Sequence, residues 1–266
     1  MNGLSDSDVR GVVLDLDGTV YDSAGLIQGA GGAVETLRSA GLRVMFATNT
    51  TRQPRSALVE RLRRLGIQVT ADDVVTAPRA AATWLRENGV STVALCLPDE
   101  TATEFGEFRI DDEHPAAVVV GDLGLAWTYD RLNRAFRHVM AGAELVAVQK
   151  NRYWRTSDGL TLDAGPFVAA LEYATGKNAV TVGKPSTTFF EAAARSLDLP
   201  AAQIVMVGDD VISDVQGAQR SGLSAVLVKT GKFRPDDLKS SVRPDAMIDS
   251  VADLPALLLD RRAPHS

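Results

Sequence analysis

A short apolar run, Val12-Val13-Leu14, stops abruptly at Asp15-Leu16-Asp17-Gly18-Thr19-Val20. No other feature narrows the fold of this chain as far. Consecutive apolar residues followed directly by acids fit a strand buried on both faces, and such strands belong to parallel sheets covered by helices. The construction returns near the other end, where Ile204–Val207 runs into Gly208-Asp209-Asp210-Val211-Ile212-Ser213-Asp214. Further strands are predicted at Leu42–Ala47, Thr92–Leu97, Ala117–Val120, Leu145–Val148, Ala179–Val182 and Ala225–Val228. Helices are predicted over Ala33–Ala40, Arg55–Leu65, Arg79–Asn88, Trp127–Ala141 and Asp214–Ser221, with Gly41, Gly66 and Gly222 as stops. Strands alternating with helices give an α/β class, a Rossmann-like doubly wound parallel sheet.

Composition agrees and excludes several alternatives. The chain has 266 residues, 45% hydrophobic and 23% charged, so a large core is available and global disorder is excluded. A net charge of -6 argues against nucleic acid as a partner, because phosphate backbones demand a basic surface. Cys96 is the single cysteine, which rules out an intrachain disulfide and fits a reducing, cytoplasmic setting. His114, His138 and His265 are scattered, unlike a histidine-rich metal site. The polar, acidic N-terminal residues are unlike a signal peptide, and no apolar run reaches the ~18 residues of a membrane span.

In a parallel sheet, ligands sit beyond the carboxyl ends of the strands. Asp15 and Asp17 can both reach such a site if the strand breaks after them, and Gly18 permits the break. Crowded carboxylates repel, so they hold a cation or keep a proton; the plainer alternative is a helix cap or surface loop. Asp209 is placed to complete an oxygen shell with Asp15, and an all-oxygen, partly hydrated shell suits Mg²⁺. Asp214 opens the next helix, where a simple N-cap is its alternative role. Thr48-Asn49-Thr50-Thr51 offers hydroxyl and amide donors for phosphate oxygens, or is merely a turn. Lys184, in Gly183-Lys184-Pro185, is a fixed cation that would neutralise a nucleophile and a phosphate.

Taken in this order, Asp15–Thr19, Thr48, Lys184 and Asp209–Asp214 resemble the four motifs of the haloacid dehalogenase superfamily of phosphatases. Thr48 to Lys184 is far longer than one strand–helix unit. The resemblance therefore implies a core domain of residues 1–77 and 179–266 and an inserted α/β cap domain of residues 78–178. That insertion resembles the branch of 4-nitrophenylphosphatases and ribonucleotide monophosphatases. Val75-Thr76-Ala77-Pro78, Gly165-Pro166-Phe167 running on to Leu171-Glu172-Tyr173-Ala174, and Lys229-Thr230-Gly231-Lys232-Phe233-Arg234-Pro235 are similar to phospholysine phosphohistidine inorganic pyrophosphate phosphatases. That mammalian subgroup tends to carry serine two residues after the nucleophile, where this chain has Asp17.

The resemblance implies Asp15 as nucleophile, Asp17 as general acid and base, and Lys184 as the balancing cation. Mg²⁺ would be held by Asp15, Asp209 and the backbone carbonyl of Asp17, with Asp210 or Asp214 orienting its waters. Thr48 and Asn49 would hold phosphoryl oxygens. The expected activity is a phosphatase for small phosphorylated metabolites. Pyrophosphate or P–N bond hydrolysis is the alternative within phosphoryl chemistry, and a non-catalytic phosphoacceptor the alternative outside it. In the cap, Arg152 in the basic, aromatic run Lys150–Arg155 and the backbone at Gly165 are candidate substrate contacts; an edge strand and a helix start are their ordinary readings. The cap edge is also a candidate homodimer surface, by analogy only. Gly29-Ala30-Gly31-Gly32 reads as a flap entering a helix, Cys96 as a buried thiol, and Arg52, Arg55, Arg61, Arg63 and Arg64 as a solvated helix face.

Overall fold

The computed structural model describes residues 9–156 and 159–259. The N-terminal residues 1–8 and His265 lie outside them, as do the side chains of Trp154 and Arg155. The chain divides into two compact units, one of residues 1–48, 58–75 and 189–266, the other of residues 49–57 and 76–188. Among the described residues no helix is long and apolar enough to cross a membrane.

The first unit is built on a six-stranded sheet in the order Ala246–Ile248, Ser224–Val228, Ile204–Gly208, Gly11–Asp15, Arg43–Thr48, Val74–Thr76. The first five strands are mutually parallel. Gly11–Asp15 is central and buried along its whole length, as its unbroken apolar run requires. Val12, Leu14, Phe46, Val205, Val207 and Val226 pack on one face with Leu37, Leu58 and Leu62 from the helices Ala30–Ser39 and Arg55–Arg64. Each such side chain contributes about 1.5–3 kcal/mol by leaving water.

The second unit has its own parallel sheet, in the order Val180–Thr181, Glu144–Ala147, Ala117–Val120, Thr92–Cys96, Arg109–Ile110. Its core joins Val118, Val120 and Leu145 to Val139, Val168 and Leu171 from the helices Tyr129–Met140 and Ala164–Thr175. A hairpin, Tyr153–Thr156 against Gly159–Leu162, precedes the second of these helices.

Helix starts differ most from the expectation. The first helix begins at Ala30, before Gly31 and Gly32, because Ala30, Ala33 and Val34 are buried and packing outweighs the poor propensity of glycine. Thr76 and Thr128 cap their helices by accepting hydrogen bonds from Arg79 N and Arg131 N, both at 3.2 Å. The basic stretch is not simply a solvated face. Arg52 precedes the helix and pairs with Asp122, Arg61 lies over the Tyr21 ring, and Arg63 donates to the Val69 carbonyl.

Cys96 ends an apolar strand and is buried, and burial pushes its thiol up to about 12. Thiolate is the reactive form, so the native thiol should react with a disulfide reagent at least ~100-fold more slowly than the chain unfolded in guanidinium. Stopped-flow labelling near neutral pH checks this.

Candidate active site

Parallel register brings the polar residues of three strands to one sheet end. Leu14 pairs with Val207 and Asp15 with Ala47, so Asp15, Thr48 and Asp209 leave neighbouring strands at nearly one level. Asp15 is 6% exposed, Asp209 and Asp214 1% each. Each offers a carboxylate oxygen to one cluster, and these oxygens lie within 4.8 Å of one another. Three buried carboxylates this close cannot all be ionised without a compensating cation or proton. Burial, and then the charge of Asp15, push the Asp209 carboxyl up to about 7. Its Oδ2 accepts a hydrogen bond from Lys232 N at 2.6 Å, while its buried Oδ1 has no partner. An all-oxygen donor set with an orphaned buried carboxylate oxygen fits a hard divalent cation.

The turn after Ile204–Gly208 places Asp214. The helix begins at Val211, with a wide turn over Val211–Gln216 that continues into Gly217–Arg220. Asp210, not Asp214, is its N-cap: Asp210 Oδ1 accepts from Ile212 N at 3.0 Å and Ser213 N at 2.9 Å. Asp214 sits one turn in, where its Oδ2 accepts from Asp210 N at 3.1 Å. Its carboxylate comes so close to Gly208 that any Cβ there would collide with it. Asp214 thus stands beside Asp15 and Asp209 as a third candidate ligand.

Asp17 is exposed, and its carboxylate is not part of the cluster. The chain reverses directly behind it. Gly18 N donates to the Tyr21 carbonyl at 2.8 Å, and the short arms Tyr21–Asp22 and Gly25–Leu26 pair antiparallel. The buried Tyr21 ring anchors this flap under the Arg61 guanidinium, 3.7 Å from its centroid. Burial, and then the charge of Asp17, raise the Tyr21 hydroxyl above its ordinary value.

The remaining candidates lie in the second unit. Lys184 is buried, and the Asn49 amide holds its backbone from both sides. Asn49 Nδ2 donates to the Lys184 carbonyl and Lys184 N donates to Asn49 Oδ1, both at 2.8 Å. Asn49, expected to hold phosphoryl oxygens, thus spends its carbonyl oxygen and one amide hydrogen on positioning the lysine segment. Arg52 Nε donates to the buried Asp122 at 2.6 Å. Arg152 is exposed, and its carbonyl accepts from Asp163 N. Gly165 lies in the first turn of its helix, so close to the Lys150 and Asn151 carbonyls that a Cβ would not fit at either. Packing accounts for this glycine.

Asn49→Ala removes both bonds and leaves the Lys184 peptide groups without these partners, a cost of about 1–3 kcal/mol. Urea unfolding should show it, with Asn49→Asp, which keeps only the acceptor, falling in between. Asp163 provides a second test. Burial raises its carboxyl despite hydrogen bonds from Ala164 N and Gln149, and Asp122 adds to the rise. A raised folded value penalises the ionised form at neutral pH. That penalty fades as pH falls through the folded value toward the ordinary carboxylate range. Asp163→Asn, which keeps the accepting oxygen, should therefore melt above the wild type near about pH 8, and the gap should close near about pH 4.

Residues 12–111 match the family described as haloacid dehalogenase-like hydrolase, and residues 181–254 match one described as HAD-hydrolase-like. The human phospholysine phosphohistidine inorganic pyrophosphate phosphatase is 40% identical over 258 residues, 94% of either chain. The human haloacid dehalogenase-like hydrolase domain-containing protein 2 is 41% identical over 229 residues, 86% of this chain and 87% of that one. Among solved structures, the 4-nitrophenylphosphatase of Thermotoga maritima superposes with a TM-score of 0.88 at 29% identity, covering 94% of this chain and 97% of its own. The p-nitrophenyl phosphatase of Archaeoglobus fulgidus gives 0.89 at 28%, covering 94% and 100%. With a relative 40% identical along nearly its whole length and both ends of the catalytic sheet matched, the chain belongs to the haloacid dehalogenase-like hydrolases.

Proposed function

We propose that the protein is a Mg²⁺-dependent phosphatase for small phosphorylated metabolites, working through an aspartyl-phosphate on Asp15. The observation that carries this is the buried cluster of Asp15, Asp209 and Asp214 at the strand ends, with Asp17 exposed two residues beyond the first of them. The names of the relatives support the reaction class.

The difficulty of the reaction is that an anionic nucleophile must approach an anion. The Asp15 carboxylate attacks phosphorus in line. The bond to the leaving oxygen breaks as the acyl phosphate forms, and Asp17 gives that oxygen its proton. Asp17, now ionised, takes a proton from water, whose oxygen attacks phosphorus and frees phosphate and Asp15. Thr48 donates its hydroxyl to a phosphoryl oxygen. Lys184, its backbone held by Asn49, supplies a fixed positive charge. Asp15 and Asp209, with the Asp17 carbonyl, are the groups to hold Mg²⁺, with Asp214 beside them and Asp210 behind. Bound there, the ion would offset charge on the nucleophile and phosphoryl oxygens.

The insertion of residues 78–178 takes the part of a cap that selects the leaving group, with exposed Arg152 as a candidate contact for an anionic one. A second reading, hydrolysis of pyrophosphate or of P–N bonds, is favoured by the name of the human relative.

Phosphate release from 4-nitrophenyl phosphate, sugar phosphates, nucleotides, pyrophosphate and a phosphohistidine mimic separates these readings. Turnover should require Mg²⁺, stop with EDTA, and fall at least ~10³-fold in Asp15→Asn. Turnover that survives Asp15→Asn would overturn the covalent route. A preference for pyrophosphate over every monoester would select the second reading.

A further inference from the structure

The segment Lys229–Phe233 lies some twenty residues beyond the acidic motif. Three contacts fasten it to the acidic cluster. Thr230 Oγ1 donates to the Gly18 carbonyl at 2.6 Å. Lys232 N donates to Asp209 Oδ2 at 2.6 Å. Gly18 and Gly231, with φ of +90° and +65°, lie on either side of that same oxygen, and a Cβ on either would collide with it. One Asp209 oxygen is thus walled in by two glycines and tied to a backbone N–H. The other is left buried and without a partner.

The side chain adds charge. Lys232 is exposed, and the bond from its backbone N–H places it beside Asp209. The carboxylates of Asp15, Asp209, Asp210 and Asp214 favour the ordinary positive charge of its ammonium. A divalent ion entering the cluster meets this positive charge.

We propose that Thr230-Gly231-Lys232 is a working part of the metal site: its backbone fixes the orientation of the Asp209 carboxylate, and its ammonium opposes the incoming ion, so that together they set the affinity. The proposal rests on reading the cluster as a cation site, and predicts opposite signs for changes at consecutive residues. Gly231→Ala pushes on Asp209 and should weaken binding about 10–100-fold, the range for groups that orient a metal ligand. Thr230→Val, which removes only the bond to Gly18, should weaken it less. Lys232→Met keeps the backbone N–H and removes the charge, and should tighten binding about 3–10-fold.

The measurement is titration calorimetry of the full-length, metal-stripped protein with Mg²⁺ alone, repeated with Mn²⁺ by electron paramagnetic resonance. Circular dichroism melts of the metal-free variants check folding, and Thr230→Val and Lys232→Met serve if Gly231→Ala does not fold. Weakening in Gly231→Ala or Thr230→Val with tightening in Lys232→Met supports the proposal. Shifts in one direction for all variants, or none, overturn it while wild-type binding leaves the cation site standing. A wild type that binds neither ion overturns both.

Discussion

Three carboxylates share one dry corner of the protein, and their mutual repulsion governs what surrounds them. Asp15, Asp209 and Asp214 are too close and too buried to carry full charge together. The fold tolerates them because the strand residues behind them are apolar and buried. Val12, Leu14, Val205 and Val207 lie directly behind the acids, and none is exposed. An apolar scaffold of this kind holds together groups that would otherwise move away from each other. Such stored repulsion is what makes a site bind an ion or take up a proton.

Parallel topology supplies the convergence. Every strand of the first sheet for which pairing is described points the same way, so the chain turns at one end bring Asp15, Thr48 and Asp209 together. The turns differ in construction. After Gly11–Asp15 the chain doubles back into a flap anchored by Tyr21. After Ile204–Gly208 it enters a wide helical turn that carries Asp214 back to the strand end. After Ser224–Val228 it runs through Thr230-Gly231-Lys232 against the other two. Glycine stands where these turns touch, because only a residue without a side chain allows backbone and carboxylate to meet.

Much of this was legible in the sequence, and the reasons for success and failure are physical. Strands that are apolar on both faces announce themselves, which is why Ala117–Val120 is found at its predicted bounds and Gly11–Asp15 contains its predicted run. Helix starts depend on packing that lies elsewhere in the chain, so Ala30 was missed behind two glycines. Asp15 and Asp209 could be read because strand ends in a parallel sheet converge. The exchange of roles between Asp210 and Asp214 could not, since it depends on which carboxylate turns toward which N–H. The Asn49 amide reaches the backbone of Lys184 and the backbone N–H of Lys232 reaches Asp209, and such contacts between distant residues leave no local pattern of residue types. The glycines at 18 and 231 were the available signal for the loop.

The amide of Asn49 has a further consequence. It joins two chain positions 135 residues apart by a pair of hydrogen bonds. The long excursion between them therefore leaves and returns at nearly one point. Segments whose ends meet are those that evolution can lengthen, shorten or exchange at small cost, because closing the loop depends only weakly on its length. The lysine would keep its backbone anchor through such an exchange, since the anchor lies at the excursion's base. Diversity of substrate and constancy of the phosphoryl chemistry can then coexist in one chain.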